Sequence, residues 1–444
     1  MSDDRSSSGI SQILPPQPID RIAKPLERFL HVQTAGGAVL IAATVLAMVL
    51  ANSPVAESYL AFWKTKVSLT FGDFKFSHSL KHLINDGLMV IFFFVIGLEV
   101  KREFVLGELR DRRKAALPIA AALGGMIVPA LLFLTLASDG EAKRGWGITM
   151  ATDIAFVVGC MAVLGDRIPS SLRVMLLTLA IADDIGAILV IAIGYTSDLS
   201  FTWLAVGGLG IVCVSLMARW GVRMFVPYVV AAVFIWYAFH ESGVHATIAG
   251  VILGLMTPPR SYIPPKLFAD VMDGASQLLT GDDWDSTEHR ADKLRKFQWA
   301  ARETISPLEY LEATLHPWVA FVIMPVFALA NAGVPFHLSA VQSSTAIAVC
   351  VGLVLGKPLG ILIASKLAVM VGLAKPPECG WPLVVGGGCL AGIGFTMSLF
   401  VAELALKGEA LTDAKIGVLV ASTTAAIVGM IVIGIFSRPA SDAA

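Results

Sequence analysis

Two adjacent aspartates, Asp183 and Asp184, lie inside the hydrophobic run Val174–Tyr195, which is long enough to cross a bilayer. A charged side chain at that depth costs about 2.5–3.5 kcal/mol on insertion scales. Neighbouring helix residues point about 100° apart, so the pair cannot share one narrow face. Two carboxylates held close together in a low dielectric cannot both stay ionised without a cation. Competition between protons and a metal cation for such a site is sufficient chemistry for exchange, although one aspartate could instead pair with a base and be structural.

A second acidic motif, Thr152-Asp153, lies in GWGITMATDIAF near the middle of the apolar run 145–164. Its hydroxyl and carboxylate supply oxygen ligands, which suit hard cations. Gly145 and Gly147 would let the backbone unwind. The alternative is that Asp153 caps a helix that starts late. The two interpretations are compatible, because broken helices in transporters present such caps inside the membrane.

A lone lysine, Lys357, lies in GKPLG (Gly356–Gly360) within the apolar run 344–372. A lysine at this depth either pairs with a carboxylate or gives up its charge. Snorkelling to the interface is the alternative, but Lys357 is more than a dozen residues from either end of the run.

The segment GGGCLAGIGFTMS (Gly386–Ser398) is rich in glycine and lies in the eleventh apolar run. It permits either close helix packing or a broken helix. The interrupted run 145–164 is its counterpart in the other half of the chain, and such a pair indicates an inverted-repeat transporter site. If both helices are broken, Asp153 lies near positive half-helix ends and Lys357 near negative ones.

Several further titratable groups flank the predicted helices and surround a predicted funnel mouth, unless they are ordinary interfacial charges. They are Glu99, Lys101, Arg102 and Glu103 after the second apolar run, and Glu309, Glu312 and His316 around the ninth. His245, in GVHATIAG, is predicted close to the outer surface; it titrates near neutral pH or is a structural histidine.

The composition indicates a polytopic membrane protein. Of 444 residues, 56% are hydrophobic and 15% charged, against about 25% charged in soluble domains. The net charge of -1 argues against nucleic-acid binding. Five scattered cysteines form no CxxC pair, which favours small buried side chains over disulfides or metal ligands. No cleavable signal peptide is evident in the polar first 28 residues.

Apolar runs predict twelve transmembrane helices. They cover residues 31–52, 82–100, 115–137, 145–164, 172–195, 202–218, 224–240, 244–257, 309–332, 344–372, 382–406 and 414–437. Lys and Arg concentrate in alternate loops, which predicts cytoplasmic termini at both ends.

The chain therefore divides into five predicted parts. They are a cytoplasmic N-terminal segment 1–30, helices one to eight in 31–257, a polar cytoplasmic insert 258–305, helices nine to twelve in 306–437, and a cytoplasmic tail 438–444. Within the second part, residues 66–78 (KVSLTFGDFKFSH) alternate apolar and polar residues around Gly-Asp, which predicts an outer β-hairpin.

At these motifs the chain resembles the NhaA-type sodium/proton antiporters of bacterial inner membranes. The matching stretches run in order along the membrane region: NDGLMVIFFFVIGLEVKRE, ATDIAF, LAIADDIGAI, SGVHATIAG, LHPWVA, PVFALANAGV, GKPLGI and CLAGIGFTMS.

The resemblance implies an all-α fold of about twelve helices with inverted-topology repeats, in which the fourth and eleventh helices are unwound and cross. It also implies electrogenic exchange of external protons for internal Na⁺ or Li⁺, without ATP or a cofactor. By motif match, Asp184 is the main cation ligand and Asp183 lies beside it. Thr152 and Asp153 are accessory groups, and Lys357 pairs with the first aspartate or offsets a helix end.

The resemblance further links pH to named residues and predicts a homodimer. Alkaline activation is expected to involve a cytoplasmic rim of Glu99, Arg102, Glu103, Glu312 and His316. His245 is expected to influence the pH profile, and the hairpin 66–78 to pair two subunits.

Two other classes of membrane protein also place aspartates inside the membrane. An intramembrane aspartyl protease would use Asp153 and Asp183 as a dyad, but the GxGD context is absent because Asp183 follows Ala-Ile-Ala. A cation symporter for an organic solute would need specific contacts, and no aromatic or arginine cluster is evident at membrane depth. The sequence therefore favours a transporter of ions rather than an enzyme.

Overall fold

The computed structural model describes residues 33–437 with gaps at 72–73, 139, 197–198, 223, 262–294, 296–297 and 299–300. The predicted segment 1–30, most of the insert 258–305 and the tail 438–444 lie outside the described residues. The described chain is predominantly helical and contains one two-stranded sheet.

In the described part of the chain, an apolar helix or a bent helix pair lies at each of the twelve predicted runs, and these are called spans 1 to 12 here. Seven are single helices long enough to cross a membrane, three belong to bent helix pairs, and two are shorter apolar helices. In chain order, spans 1 to 6 are Gln33–Ala51, Leu80–Val105, Arg112–Leu136, the pair Glu141–Thr149 and Ile154–Leu164, Ser170–Gly194, and Phe201–Arg219. Spans 7 to 12 are Phe225–Glu241, Thr247–Met256, Pro307–Asn331, Ser344–Met370, the pair Trp381–Ala391 and Phe395–Ala405, and Gly408–Phe436.

Span 1 is followed by a short helix, Ala56–Lys64, that no apolar run predicted. The two helices are bent by 113°, so the short helix does not continue the span. The bend contains Pro54, and a proline disfavours helical geometry in the residue before it.

The predicted unwinding of spans 4 and 11 is confirmed. Their halves are bent by 42° and 48°, with breaks between Thr149 and Ile154 and between Ala391 and Phe395. The first half of span 4 is a 3-10 helix. The Tyr195 hydroxyl accepts from the Gly147 amide (3.1 Å) and donates to the Arg144 carbonyl (2.9 Å).

Two units of three spans have the same order of elements. Spans 3–5 and spans 10–12 each consist of a long helix, a broken helix and a second long helix. Successive spans cross a membrane in opposite directions. The first unit begins at an odd-numbered span and the second at an even-numbered span, so the second unit is inverted relative to the first. This order agrees with the predicted inverted-topology repeats.

Glycines allow two pairs of spans to pack at backbone contact. A Cβ on Gly360 in span 10 would lie 2.1 Å from the Gly124 carbonyl oxygen in span 3. A Cβ on Gly254 in span 8 would lie 2.4 Å from the Phe94 carbonyl oxygen in span 2. Small residues permit this approach in membrane helices, and any side chain would force the backbones apart.

The predicted β-hairpin is confirmed. Strands β1 (Lys66–Phe71) and β2 (Phe74–Ser79) pair antiparallel, with Lys66 opposite Ser79 and Phe71 opposite Phe74. β2 runs directly into span 2, and the Ser79 hydroxyl accepts from the His82 amide at 3.2 Å.

Candidate functional site

The unwound segments of spans 4 and 11 cross in direct contact. The Asp153 amide donates to the Ile393 carbonyl at 2.7 Å, and the Thr152 hydroxyl donates to the Ala391 carbonyl at 2.9 Å. Irregular backbone at membrane depth needs such partners because lipid offers none. Each break therefore supplies hydrogen-bond partners to polar groups exposed at the other break.

Asp153 lies where the second halves of both broken spans begin. Its Oδ1 accepts from the Phe156 amide (3.2 Å), and its Oδ2 accepts from the Thr396 amide (3.1 Å) and from the Thr396 hydroxyl. The carboxylate thus caps one half-helix and contacts the first turn of the other, where helix dipoles favour negative charge. Sequence reasoning missed Thr396, although its place at the end of the glycine-rich segment parallels that of Thr152.

Lys357 forms a fully buried ion pair with Asp183. Its Nζ lies 2.6 Å from Asp183 Oδ2, and both side chains are 0% exposed, which excludes snorkelling. Nζ also donates to the Met150 carbonyl, at the negative end of the first half of span 4. The Thr152 hydroxyl oxygen also lies 2.6 Å from the same Asp183 oxygen, so its single proton is shared between that carboxylate and the Ala391 carbonyl.

Asp184 is buried beside this pair, and no ion pair within the described part of the chain includes it. Its Oδ1, like Oδ1 of Asp183, has no hydrogen-bond partner among the residues that the structure describes. Asp184 interacts electrostatically with Asp183, Asp153 and Lys357. Burying a carboxylate without compensation is costly, so Asp184 requires either a proton or a cation.

The predicted site residues Thr152, Asp153, Asp183, Asp184 and Lys357 therefore come together at the crossing. The cluster holds three carboxylates and one ammonium group. Its partnerless oxygens and the nearby hydroxyl are hard ligands of the kind that an alkali cation takes.

The rim residues are only partly brought together. Arg102 and Glu312 form an ion pair, and Glu99 interacts electrostatically with both of them and with Asp184. Glu103 instead accepts from the Glu108 amide at 2.8 Å near the end of span 2. His316 is exposed and interacts electrostatically with Arg102.

His245 lies away from the rim, in the connection between spans 7 and 8. Its Nε2 lies 3.1 Å from the Tyr195 carbonyl oxygen. Burial lowers the pKa of His245, which favours the neutral imidazole.

A second buried polar cluster was missed by sequence reasoning. Glu403 pairs with Lys415 and, at 2.6 Å, with Lys81. Lys415 also donates to the Asn331 carbonyl at 2.8 Å, and the Asn331 side chain donates to Asn85 Oδ1 at 2.7 Å. These contacts join spans 2, 9, 11 and 12. The available signal was charge inside apolar runs, at Glu403 and Lys415.

Comparisons with known proteins agree on one assignment. The model of the family described as Na+/H+ antiporter 1 matches residues 27–433. The chain is 55% identical over 418 residues to the Na(+)/H(+) antiporter NhaA of Rhodopirellula baltica, covering 94% of this chain and 95% of that protein. It is 48% identical over 427 residues to the protein of the same name from Rhizobium meliloti, covering 96% and 98%. It is 46% identical over 425 residues to Na(+)/H(+) antiporter NhaA 2 of Vibrio vulnificus, covering 96% and 95%.

Proposed function

The chain belongs to the Na+/H+ antiporter 1 family, and from this premise we propose that it exchanges external protons for internal Na⁺ or Li⁺ at Asp183 and Asp184. Members of this family are multi-pass membrane transporters and not enzymes, which excludes the aspartyl protease alternative. The observation that carries the site assignment is the contrast between two neighbouring carboxylates. Lys357 neutralises Asp183, whereas Asp184 Oδ1 has no partner in the described structure.

Asp184 is the main cation ligand in this proposal. Oδ1 of Asp183 is equally without a hydrogen-bond partner among the described residues, so we propose it as a second ligand. Thr152 and Asp153 act as accessory groups, since both are tied to the crossing and hold its geometry. A proton on Asp184 and a cation beside it are mutually exclusive ways to remove the same buried charge.

The exchange cycle follows from that competition. Protons neutralise the site when it faces outward, and the protein then turns the site toward the cytoplasm. There the protons leave and a cation takes their place. Alternating access of this kind requires two packed units that rock about a central site, which the two repeats supply.

We infer that more protons enter than cations leave, so that exchange is electrogenic. Asp184 can carry one proton, and the Asp183–Lys357 pair is a second titratable element, because Lys357 loses its counter-charge when a cation binds Asp183. Each net charge moved is worth about 2.3 kcal/mol per 100 mV. An interior-negative membrane potential therefore helps to drive the cycle.

Alkaline activation is assigned to the rim through Glu99. Glu99 interacts electrostatically with Glu312 and Arg102 on one side and with Asp184 on the other. A change in the charge of the rim therefore changes the electrostatic potential at the cation site. Glu103 and His316 belong to the same cytoplasmic end of the protein, and His245 acts from the opposite end.

The proposed setting is the inner membrane of a bacterium, with both termini in the cytoplasm and two subunits joined through the β1–β2 hairpin. Arg110, Arg167 and Lys375 lie in described loops on the predicted cytoplasmic side, as the positive-inside rule expects, whereas Lys143 and Arg144 on the predicted outer side are exceptions. The transported ions are Na⁺ or Li⁺ and H⁺, and no cofactor is required.

The test is Na⁺-triggered collapse of a preset pH gradient in everted membrane vesicles. We compare wild type with Asp184→Asn from about pH 6.5 to about pH 9, a range that begins at the ordinary histidine pKa and extends into the alkaline region. Asp184→Asn should abolish exchange, because an amide cannot trade a proton for a cation. Asp413→Asn, a conservative change of an aspartate outside the site, is the matched control and should keep wild-type rates.

Three outcomes decide the separate parts of the proposal. Wild-type rates in Asp184→Asn at equal abundance would overturn the ligand assignment. Wild-type activity that does not rise toward alkaline pH would overturn the activation by the rim. In proteoliposomes with a potassium-set membrane potential, an exchange rate independent of that potential would overturn electrogenic exchange.

A further inference from the structure

Three histidines converge at the predicted outer end of the protein, far from the crossing. His78 lies on β2, His82 in the first turn of span 2, and His240 in the last turn of span 7. One ring nitrogen from each lies within 4.8 Å of the other two. Residues distant in sequence thus place three imidazoles around one point.

Asp86 adds a carboxylate to the same cluster. Its Oδ2 lies 3.3 Å from His82 Nε2 and 3.6 Å from His240 Nδ1. Ligand atoms about 2.0–2.1 Å from a tetrahedral Zn²⁺ are roughly 3.4 Å apart. Two separations therefore already match, and one ring nitrogen of His78 lies within 4.8 Å of those of His82 and His240.

One nitrogen of the cluster has no hydrogen-bond partner among the described residues. His82 Nε2 is buried and makes no hydrogen bond to any described residue, because its approach to Asp86 lacks the required direction. A metal ion at the centre of the cluster would satisfy this nitrogen and the two others together.

The surroundings hold the ligands in place. The His78 and His82 rings stack with centroids 4.5 Å apart. The Trp236 ring stacks on His240 at 5.9 Å, and its Nε1 donates to the Asp86 carbonyl at 3.1 Å. Such outer contacts fix ligand orientation in known metal sites.

We propose that His78, His82, His240 and Asp86 bind one divalent transition-metal ion, with Zn²⁺ the ion that fits best. Three imidazoles and one carboxylate are borderline ligands that suit Zn²⁺ and not an alkali cation. The site is separate from the transport site. A bound ion ties the hairpin to spans 2 and 7, and it stabilises the folded protein because the unfolded chain holds no such cluster.

The test measures Zn²⁺ binding to the purified full-length protein in detergent, using an affinity tag without histidines and after treatment with EDTA. Isothermal titration should give one Zn²⁺ per chain, together with a rise in the unfolding temperature. His78→Gln, His82→Gln and His240→Gln should each weaken binding by at least about tenfold. His337→Gln, which changes an exposed histidine elsewhere, is the matched control and should bind as wild type does.

Co²⁺ titration separates a built site from loose surface binding. Bound Co²⁺ should give the visible absorption of tetrahedral coordination in wild type and His337→Gln, and lose it in the variant with all three substitutions. The triple variant keeps every cysteine, so the difference reports the histidines alone. Equal Zn²⁺ affinity in wild type and all three single variants, or no binding by wild type, would overturn the proposal.

Discussion

The buried Lys357–Asp183 pair predicts a large and partly reversible loss of stability. Lys357→Met leaves Asp183 buried without a counter-charge, which should cost about 3–5 kcal/mol. Adding Asp183→Asn removes that charge and should restore much of the loss. Thermal unfolding in detergent measures both variants.

Span 10, which contains Lys357, also offers a control for these two variants. Lys366 is exposed, and its ammonium lies over the Trp381 ring at 5.7 Å, so Lys366→Met should change stability by only about 0.5 kcal/mol. A double variant at Lys357 and Asp183 that is no more stable than Lys357→Met would contradict the ion-pair explanation.

His245 predicts a stability loss on the acid side. Its pKa is lowered in the folded state by burial, while the unfolded chain binds the proton near the usual value of about 6.5. Below about pH 6.5 the unfolded state therefore holds more protons than the folded state, so the free energy of unfolding decreases as pH falls. Above that pH this histidine has no effect on the free energy of unfolding. His245→Gln should flatten the decline in unfolding temperature between about pH 7 and about pH 5.

Equal acid-side slopes for wild type and His245→Gln would contradict this assignment. The result also bears on the transport profile. His245 stays neutral throughout the alkaline range, so any effect of this residue on activation comes from its contact with the Tyr195 carbonyl rather than from its charge.

At the scale of helices, the glycine contact between spans 3 and 10 predicts a packing penalty. The Cβ of Gly360→Ala would lie 2.1 Å from the Gly124 carbonyl oxygen, which belongs to the backbone and cannot rotate away. Overpacking of this kind costs about 1–3 kcal/mol. Gly208→Ala in span 6, where no atom lies within 4 Å of the new Cβ, is the control and should be neutral in thermal unfolding. Equal unfolding temperatures for the two variants would contradict the contact.

The broken helices show what a local pattern can and cannot predict. Gly145, Gly147 and the segment Gly386–Ser398 made two breaks possible, because glycine density inside an apolar run is visible in the sequence, but only the family resemblance decided between broken helices and close packing. The pairing of Asp153 with Thr396 was not predictable, since it depends on where two distant breaks cross. The same applies to Lys415 and Glu403, whose charges cancel only once spans 11 and 12 are packed.

At the scale of the whole molecule, the hairpin predicts the oligomeric state. Replacing residues 67–78 by a short glycine linker removes the two strands that we propose to pair two subunits. The variant should be a monomer in detergent, measured by light scattering, where wild type is a dimer. Na⁺-dependent exchange by the variant in proteoliposomes would show that the fold is intact. A variant that remains dimeric would contradict the proposed interface.

The count of spans followed from apolar length alone, but their shapes did not. The run 244–257 was marginal as a prediction, and the helix observed there, Thr247–Met256, is only 10 residues long. It packs at backbone contact against span 2 through Gly254. The helix Ala56–Lys64 was missed because a search for long apolar runs finds membrane-spanning segments. Such a search does not detect a short helix after a turn at a proline.

The crossing also has a consequence for biosynthesis. Asp153 is bonded to Thr396, 243 residues later in the chain. Chains emerge from the ribosome N-terminal end first, so span 4 enters the membrane long before its partner exists. Until span 11 arrives, the break in span 4 and the carboxylate of Asp153 must rely on water or on the insertion machinery. Assembly of the ion site is therefore among the last events of folding, and truncated chains that end before span 11 should be substrates for membrane quality control.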